Sequence, residues 1–143
     1  MNGNLKKKIN YEEFDIIILS DYNKGVFAKP WLEIKDKMVL LDPKKVNPAL
    51  FSSSKIITPN IKELEEITKI KINNKDSIVN ACNKLISNYN FEWVVAKKAS
   101  KGITLVGKNN FVKNFSGKNI SNPDVTGAGD TVIATLAVAY AKN

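Results

Sequence analysis

Short apolar runs alternate along this chain with longer stretches of helical spacing. Four runs are rich in β-branched residues and too short for free-standing helices, so each predicts a buried strand. They are residues 15–19, 38–41, 55–58 and 92–96. Helix-compatible spacing between them covers residues 28–37, 60–69 and 76–88, the last with Asp76 or Ser77 as its expected N-cap. Strands that alternate with helices predict an α/β fold with a parallel sheet.

The pattern changes after the fourth predicted strand. Residues 103–106 and 111–115 flank a Gly/Asn-rich turn at 107–110, which predicts an antiparallel hairpin. From about Ala128 onward the chain predicts a helix that is apolar on most faces and is therefore expected to be buried on more than one side. The sequence stops shortly after Tyr140, so we expect the cover for this helix to come from chain outside this sequence.

Composition is that of an ordinary single domain. The chain has 143 residues, 43% of them hydrophobic, and no apolar run approaches membrane-spanning length. With no signal-peptide pattern after Met1, a soluble cytoplasmic protein is expected. The absence of histidine and the single cysteine exclude the usual zinc spacings, an internal disulfide and histidine-based catalytic triads. Cys82 lies among apolar residues at helical spacing and is expected in the core.

The net charge of +8 comes entirely from lysines that are spread along the chain. Nucleic-acid-binding proteins usually cluster arginine and interleave aromatic residues, so neither a nucleic acid nor a membrane is expected as a partner. A basic surface does raise the local concentration of anions such as nucleotides and phosphorylated sugars.

Polar segments follow every predicted strand, where open parallel sheets bind ligands. The most informative is DVTGAGD at 124–130. Glycines before a helix let backbone N–H groups close around a phosphate-sized anion. Asp130, in the first helical turn, could accept the proton of a hydroxyl that attacks a γ-phosphate. The alternative is an acidic residue that merely stabilises the helix N-terminus.

A second candidate pair is Asn60 and Glu63, one helical turn apart. Both side chains can face the same ligand, and their oxygens suit Mg²⁺ or its bound waters. A capping arrangement between the same two residues is the structural alternative.

The string DVTGAGD resembles the second signature of the ribokinase-like (pfkB-type) carbohydrate kinases. Three further segments, LSDYNKG (19–25), LLDPKK (40–45) and TPNIKELEEI (58–67), are similar to the D-glycero-β-D-manno-heptose-7-phosphate kinases of ADP-heptose synthesis. The resemblance implies a ribokinase-like three-layer sandwich around a mostly parallel sheet. Residues 1–14 would be an N-terminal extension, and 15–143 the C-terminal part of the kinase domain.

The resemblance also implies roles for individual residues. Asp130 would be the catalytic base, with Gly127, Ala128 and Gly129 as the anion hole. The residues placed near the nucleotide and magnesium would be Asn60, Glu63 and Gly102, with Glu63 acting on the metal indirectly. Asp21 and Lys24 would border the phosphate site. ATP, Mg²⁺ and a phosphorylated sugar are the implied cofactors and substrate, in lipopolysaccharide core biosynthesis.

This chain departs from the resembled pattern in two places and lacks parts of it. Relatives carry a Thr followed by small or acidic residues and a Gly where this chain reads KKASKG at 97–102, so only Gly102 is retained. Pro123 precedes the DVTGAGD aspartate in place of the usual residue. The sugar-binding part, the β-sheet lid and the later helices are not in the sequence. Two alternatives follow. The chain is part of an ATP-dependent sugar kinase whose sugar contacts come from a second chain or from a longer native product, or it is an inactive, nucleotide-binding remnant or half of a split kinase.

Overall fold

The computed structural model describes residues 10–20, 22, 34, 37–44, 54–118 and 127–142. Within them, six strands form one sheet: β1 (Ile16–Ser20), β2 (Met38–Asp42), β3 (Ile56–Ile57), β4 (Trp93–Lys97), β5 (Ile103–Gly107) and β6 (Phe111–Phe115). The α-helices of the described part are α1 (Ile61–Thr68), α2 (Lys75–Tyr89) and α3 (Ala128–Ala141). Short 3₁₀ turns lie at Tyr11–Glu13 and Ala99–Lys101.

The sheet keeps the order of the sequence. Strands β1 to β4 pair in parallel, whereas β4–β5 and β5–β6 pair antiparallel. The four predicted strands and the predicted hairpin are confirmed, and so is the α/β class with a mostly parallel sheet. Of the helix predicted over 28–37, only Ile34 and Lys37 are described, neither of them helical; the remainder lies outside the described residues.

Helices cover both faces of the sheet, which gives three layers. Successive strand residues point to opposite faces, and the two buried clusters divide accordingly. On one face Leu41, Ile57 and Val94 pack with Leu64 of α1 and Leu85 of α2. The other face presents the neighbouring strand residues to α3, and its buried members are Leu40, Ile56, Val95, Ile133 and Ala137. The parallel strands are therefore packed between two apolar clusters, one on each face of the sheet.

The two residue-level expectations for α2 have different outcomes. Cys82 is fully buried in the core, as expected, and burial raises the pKa of its thiol to about 12. The cap prediction is wrong by two or three positions. Asn74 is the N-cap, because its side chain accepts from the Ser77 N–H while the Ser77 hydroxyl accepts from the Asn74 N–H.

Helix α3 is buried on one side only. Ile133 and Ala137 face the sheet, whereas Val138 and Tyr140 are 57% and 49% exposed. Within the described residues α3 lies against β1 and β2, so cover for its other sides stays an expectation about chain outside this sequence. None of the helices described is long and apolar enough to cross a membrane.

Candidate functional site

Polar side chains gather where the parallel strands end. Ser20, the last residue of β1, pairs in register with Asp42, the last residue of β2. Thr58 directly follows β3, and Lys97 closes β4. Because these strands run in the same direction, their carboxyl ends form a single edge, the position at which such sheets bind ligands.

Asp42 is the centre of this edge and is fully buried. Its Oδ1 accepts hydrogen bonds from the Lys97 Nζ at 2.5 Å and the Thr58 hydroxyl at 3.1 Å. The Lys44 Nζ lies 3.3 Å from Oδ2 as an ion pair, although it is not aligned as a hydrogen bond and Oδ2 makes none. A buried carboxylate is costly unless it is paired, and the two lysines supply that pairing.

The charge on Lys44 is favoured by its surroundings. Burial lowers the pKa of this ammonium, but attraction by Asp42, then by Glu63 and Tyr22, outweighs burial and leaves the pKa above its usual value. The same Nζ lies 5.1 Å from the centre of the Tyr22 ring, within range of a cation–π contact. Lys44 therefore links Asp42 to Tyr22.

Tyr22 in turn connects this edge to Asp130. Its hydroxyl lies 3.0 Å from Oδ1 and 2.9 Å from Oδ2 of Asp130, so the donated hydrogen is shared by the two carboxylate oxygens. Asp130 stands in the first turn of α3, where the helix dipole favours a negative charge. The carboxylate is thus held at the mouth of the strand edge by a residue from the other end of the described chain.

The glycine turn at the start of α3, Gly127–Gly129, is open on one side among the described residues. Gly127 has the left-handed φ of 73° and caps the helix without a side-chain hydrogen bond. A Cβ placed on Gly127 would meet no atom of a described residue within 4 Å, whereas one on Gly129 would come within 3.3 Å of the Lys97 Nζ. Among the described residues, the turn is therefore open at Gly127 and faces an ammonium at Gly129.

Asn60 and Glu63 form a capping box at the start of α1. Asn60 Oδ1 accepts from the Glu63 N–H at 2.9 Å, and Glu63 Oε2 accepts from the Asn60 N–H at 2.7 Å. The structural alternative from the sequence is thus present. Burial is the largest influence on Glu63 and raises the pKa of its carboxyl, against the Asn60 N–H and Lys97, which lower it. Glu63 accordingly borders the Asp42 cluster, and its role toward a metal remains a prediction.

Gly102 has a structural reason to be glycine. Its φ is 87°, and a Cβ would collide with the backbone carbonyl of Phe115 on β6. A nucleotide contact at Gly102 remains a prediction. Asp21 and Lys24 lie outside the described residues. Among the residues described, no group of three Asp, Glu or Cys side chains could by itself hold a metal ion.

Sequence reasoning missed four members of this cluster: Tyr22, Asp42, Lys44 and Lys97. All of them lie at or just beyond the end of a strand, which is the one signal that could have indicated them. With the glycine turn, the two ammonium groups make a site that suits phosphate oxygens, and Asp130 adds a carboxylate able to accept a proton.

Comparisons with known proteins find sequences and structures that are similar to this chain. The sequence model of the pfkB family carbohydrate kinases matches residues 28–143. The bifunctional protein HldE of Mesorhizobium japonicum is 40% identical over 90% of this chain and 27% of its own length. That of Aliarcobacter butzleri is 36% identical over 99% of this chain and 30% of its own length. The chain thus spans less than a third of these relatives.

Two solved structures share the fold of this chain. A ribokinase from Thermotoga maritima superposes with a TM-score of 0.79 at 26% identity, over 96% of this chain and 48% of that protein. The Arabidopsis thaliana ribokinase complexed with ribose and ATP superposes with a TM-score of 0.66 at 28% identity, over 75% of this chain and 36% of that protein.

Proposed function

Because the chain belongs to the pfkB family of carbohydrate kinases, we propose that it carries the phosphoryl-transfer part of an ATP-dependent sugar kinase. The observation that carries this proposal is the position of Asp130. Its carboxylate stands beside the Gly127–Gly129 turn, is held by Tyr22, and lies at the edge where Lys97 and Asp42 meet.

In the proposed reaction Asp130 removes the proton of a sugar hydroxyl. The freed oxygen bonds to the γ-phosphorus, the bond from that phosphorus to the β–γ bridging oxygen breaks, and ADP leaves with the electron pair. The backbone N–H groups of Gly127, Ala128 and Gly129 stabilise the negative charge that builds on the transferring group. Tyr22 orients the Asp130 carboxylate so that one oxygen meets the hydroxyl proton.

Asn60 and Glu63 are the proposed residues on the magnesium side. Mg²⁺ when bound would neutralise phosphate charge and orient the triphosphate. Their oxygens are suitable acceptors for magnesium-bound water, and Glu63 has one oxygen, Oε1, with no hydrogen bond to a described residue. Gly102 is proposed to face the nucleotide, and Asp21 and Lys24 to border the phosphate site.

The proposed acceptor is heptose 7-phosphate. Support comes from the four segments that resemble the heptose-7-phosphate kinases and from the similarity to bifunctional HldE proteins. The chain spans about 27–30% of those relatives, so we propose that the sugar contacts come from the remainder of a kinase domain, on the same polypeptide or on a companion.

The test is Mg²⁺-dependent transfer from ATP to D-glycero-β-D-manno-heptose 7-phosphate. It is run with the chain alone and with the remainder of a kinase domain added as a separate polypeptide. We expect transfer with the added part and loss of it in Asp130→Asn, with nucleotide binding retained. Nucleotide binding without transfer in either arrangement would indicate the inactive remnant. An active Asp130→Asn protein would refute the assignment of the base.

A further inference from the structure

Lys97 occupies a position between two parts of the site. Its Nζ donates to Asp42 Oδ1 at 2.5 Å on one side, and a Cβ on Gly129 would come within 3.3 Å of it on the other. One ammonium group therefore lies between the strand edge and the glycine turn at the start of α3. A phosphate seated on that turn would lie next to this charge.

The surroundings of Lys97 leave part of its hydrogen-bonding capacity unused. An ammonium has three N–H donors, and Asp42 is the sole acceptor that Nζ has among the described residues. The side chain is 13% exposed, so it is mostly enclosed without being sealed from a ligand. Two donors thus remain for oxygens that enter beside Gly129.

Neutralising Asp42 does not by itself account for Lys97. Lys44 already lies 3.3 Å from the other carboxylate oxygen of Asp42 and keeps its charge. Two ammonium groups therefore share the Asp42 carboxylate, so Lys97 is not needed to pair it. An ammonium suits an anionic ligand, because a charge-assisted contact to phosphate is stronger than a neutral one.

We infer that Lys97 contacts the terminal phosphate of the bound nucleotide beside Gly129, and that Asp42 is the positioning residue that aims it there. The inference rests on the proposed function, since it assumes a nucleotide on the glycine turn. It adds a charged contact at Lys97, the first residue of the segment where this chain departs from the resembled pattern. The ligand chemistry it requires is a triphosphate rather than a diphosphate.

The experiment measures the affinities of ATP and ADP, each with Mg²⁺, for the whole chain and for Lys97→Met by calorimetry. We expect Lys97→Met to weaken ATP binding and to leave ADP binding unchanged, so that the ATP:ADP affinity ratio falls roughly 10- to 100-fold. The matched control is Lys101→Met, which removes an exposed lysine of the same segment and should keep the ratio of the wild type.

Asp42 supplies the second arm of the test. Asp42→Asn should lower the same ratio, because the amide oxygen that remains carries no charge and holds the Lys97 ammonium less firmly, while ADP affinity stays. A residue that only supported the fold would change both affinities alike. The double variant Asp42→Asn/Lys97→Met covers the case in which Lys97→Met fails to fold, since it removes the buried carboxylate together with Lys97 and leaves only the partly exposed Lys44 ammonium without its ion-pair partner. Its ratio should match that of Lys97→Met.

The outcomes separate the inference from the proposed function. A wild-type ratio in Lys97→Met, or in the double variant, would overturn the inference and make Lys97 a counter-ion of Asp42, with nucleotide binding intact. A wild-type chain that binds neither ATP nor ADP would overturn the proposed nucleotide site, and the inference with it.

Discussion

The hydroxyl of Tyr22 lies 2.9 Å from Oδ2 and 3.0 Å from Oδ1 of Asp130, across 108 positions of sequence. A donor shared by both oxygens restricts rotation of the carboxylate about its last bond. The Lys44 ammonium in turn lies over the Tyr22 ring, 5.1 Å from the centre of that ring. The proposed base is therefore oriented through a chain of contacts that begins at the buried Asp42.

Tyr22→Phe should reduce phosphoryl transfer by slowing the chemical step. Without the hydroxyl, Asp130 samples more orientations, so we expect kcat to fall roughly tenfold, in line with the loss of one hydrogen bond to a charged group. The KM for ATP should not change, because Tyr22 does not face the nucleotide in the proposal. Tyr140→Phe, on the exposed face of α3, is the matched control. An unchanged kcat in Tyr22→Phe would remove Tyr22 from the site.

The stability of Glu63→Gln relative to the wild type should increase as the pH rises. Burial raises the pKa of Glu63 above its ordinary value of 4.5, so the folded chain binds this proton more tightly than the unfolded chain. As the pH rises through that raised pKa, Glu63 ionises in the folded chain and the free energy of unfolding falls. Glutamine has no proton to lose, so Glu63→Gln escapes this loss. Urea unfolding between pH 4.5 and 7.5 should show the stability of Glu63→Gln, relative to wild type, rising with pH and then levelling off.

The control for that experiment is Glu66→Gln, an exposed position on the same helix. Its difference from wild type should show no comparable rise. A constant difference for Glu63→Gln across the same pH range would mean that burial does not raise the pKa of this carboxyl.

Gly102→Ala should destabilise the chain more than Gly127→Ala does. Both glycines have left-handed backbone angles, φ 87° and 73°, but only at Gly102 would a Cβ collide with backbone, the carbonyl of Phe115. We expect a loss of more than about 2 kcal/mol at Gly102 and about 1–2 kcal/mol at Gly127. Denaturant unfolding of the two variants checks the order, and equal losses would contradict the close approach of Gly102 to β6.

Asn74→Ala should cost about 1 kcal/mol of stability through the loss of the α2 cap. Asp76→Ala should cost less, because Asp76 contributes only its charge to the first turn. Asn80→Ala, at an exposed position in the middle of α2, should be neutral or slightly stabilising. A larger loss of stability at Asp76 than at Asn74 would instead support Asp76 as the N-cap, as predicted from the sequence.

The elements of the fold were predictable because their signals are local. A run such as Val94–Ala96 is apolar and β-branched enough to indicate a buried strand without knowledge of its neighbours, and the Gly/Asn turn after Gly107 indicates the hairpin. The α2 cap was misplaced because three residues close together in the sequence, Asn74, Asp76 and Ser77, offer competing side-chain acceptors. Their relative geometry, which decides the cap, is absent from a one-dimensional pattern.

The site was only partly predictable for a related reason. Asp130 and its glycines form a contiguous string, so their chemistry could be proposed from the residues and the resemblance. Asp42 and Lys97 are separated by 55 positions, and their contact arises only once β2, β3 and β4 lie side by side. Nothing in the local sequence of either residue distinguishes it from an ordinary charged residue at the end of a strand.

The reach of the Tyr22–Asp130 contact has a consequence for how the chain assembles. Closing a loop of this length has an entropic cost that grows only with the logarithm of loop length, but the cost must be met before the contact can form. A ligand that binds only when both residues are in place binds the folded chain and not the unfolded chain. Its binding therefore shifts the folding equilibrium towards the folded chain by mass action. Occupancy of the site and integrity of the whole sheet are therefore thermodynamically linked, and a saturating ligand should raise the melting temperature of the entire chain.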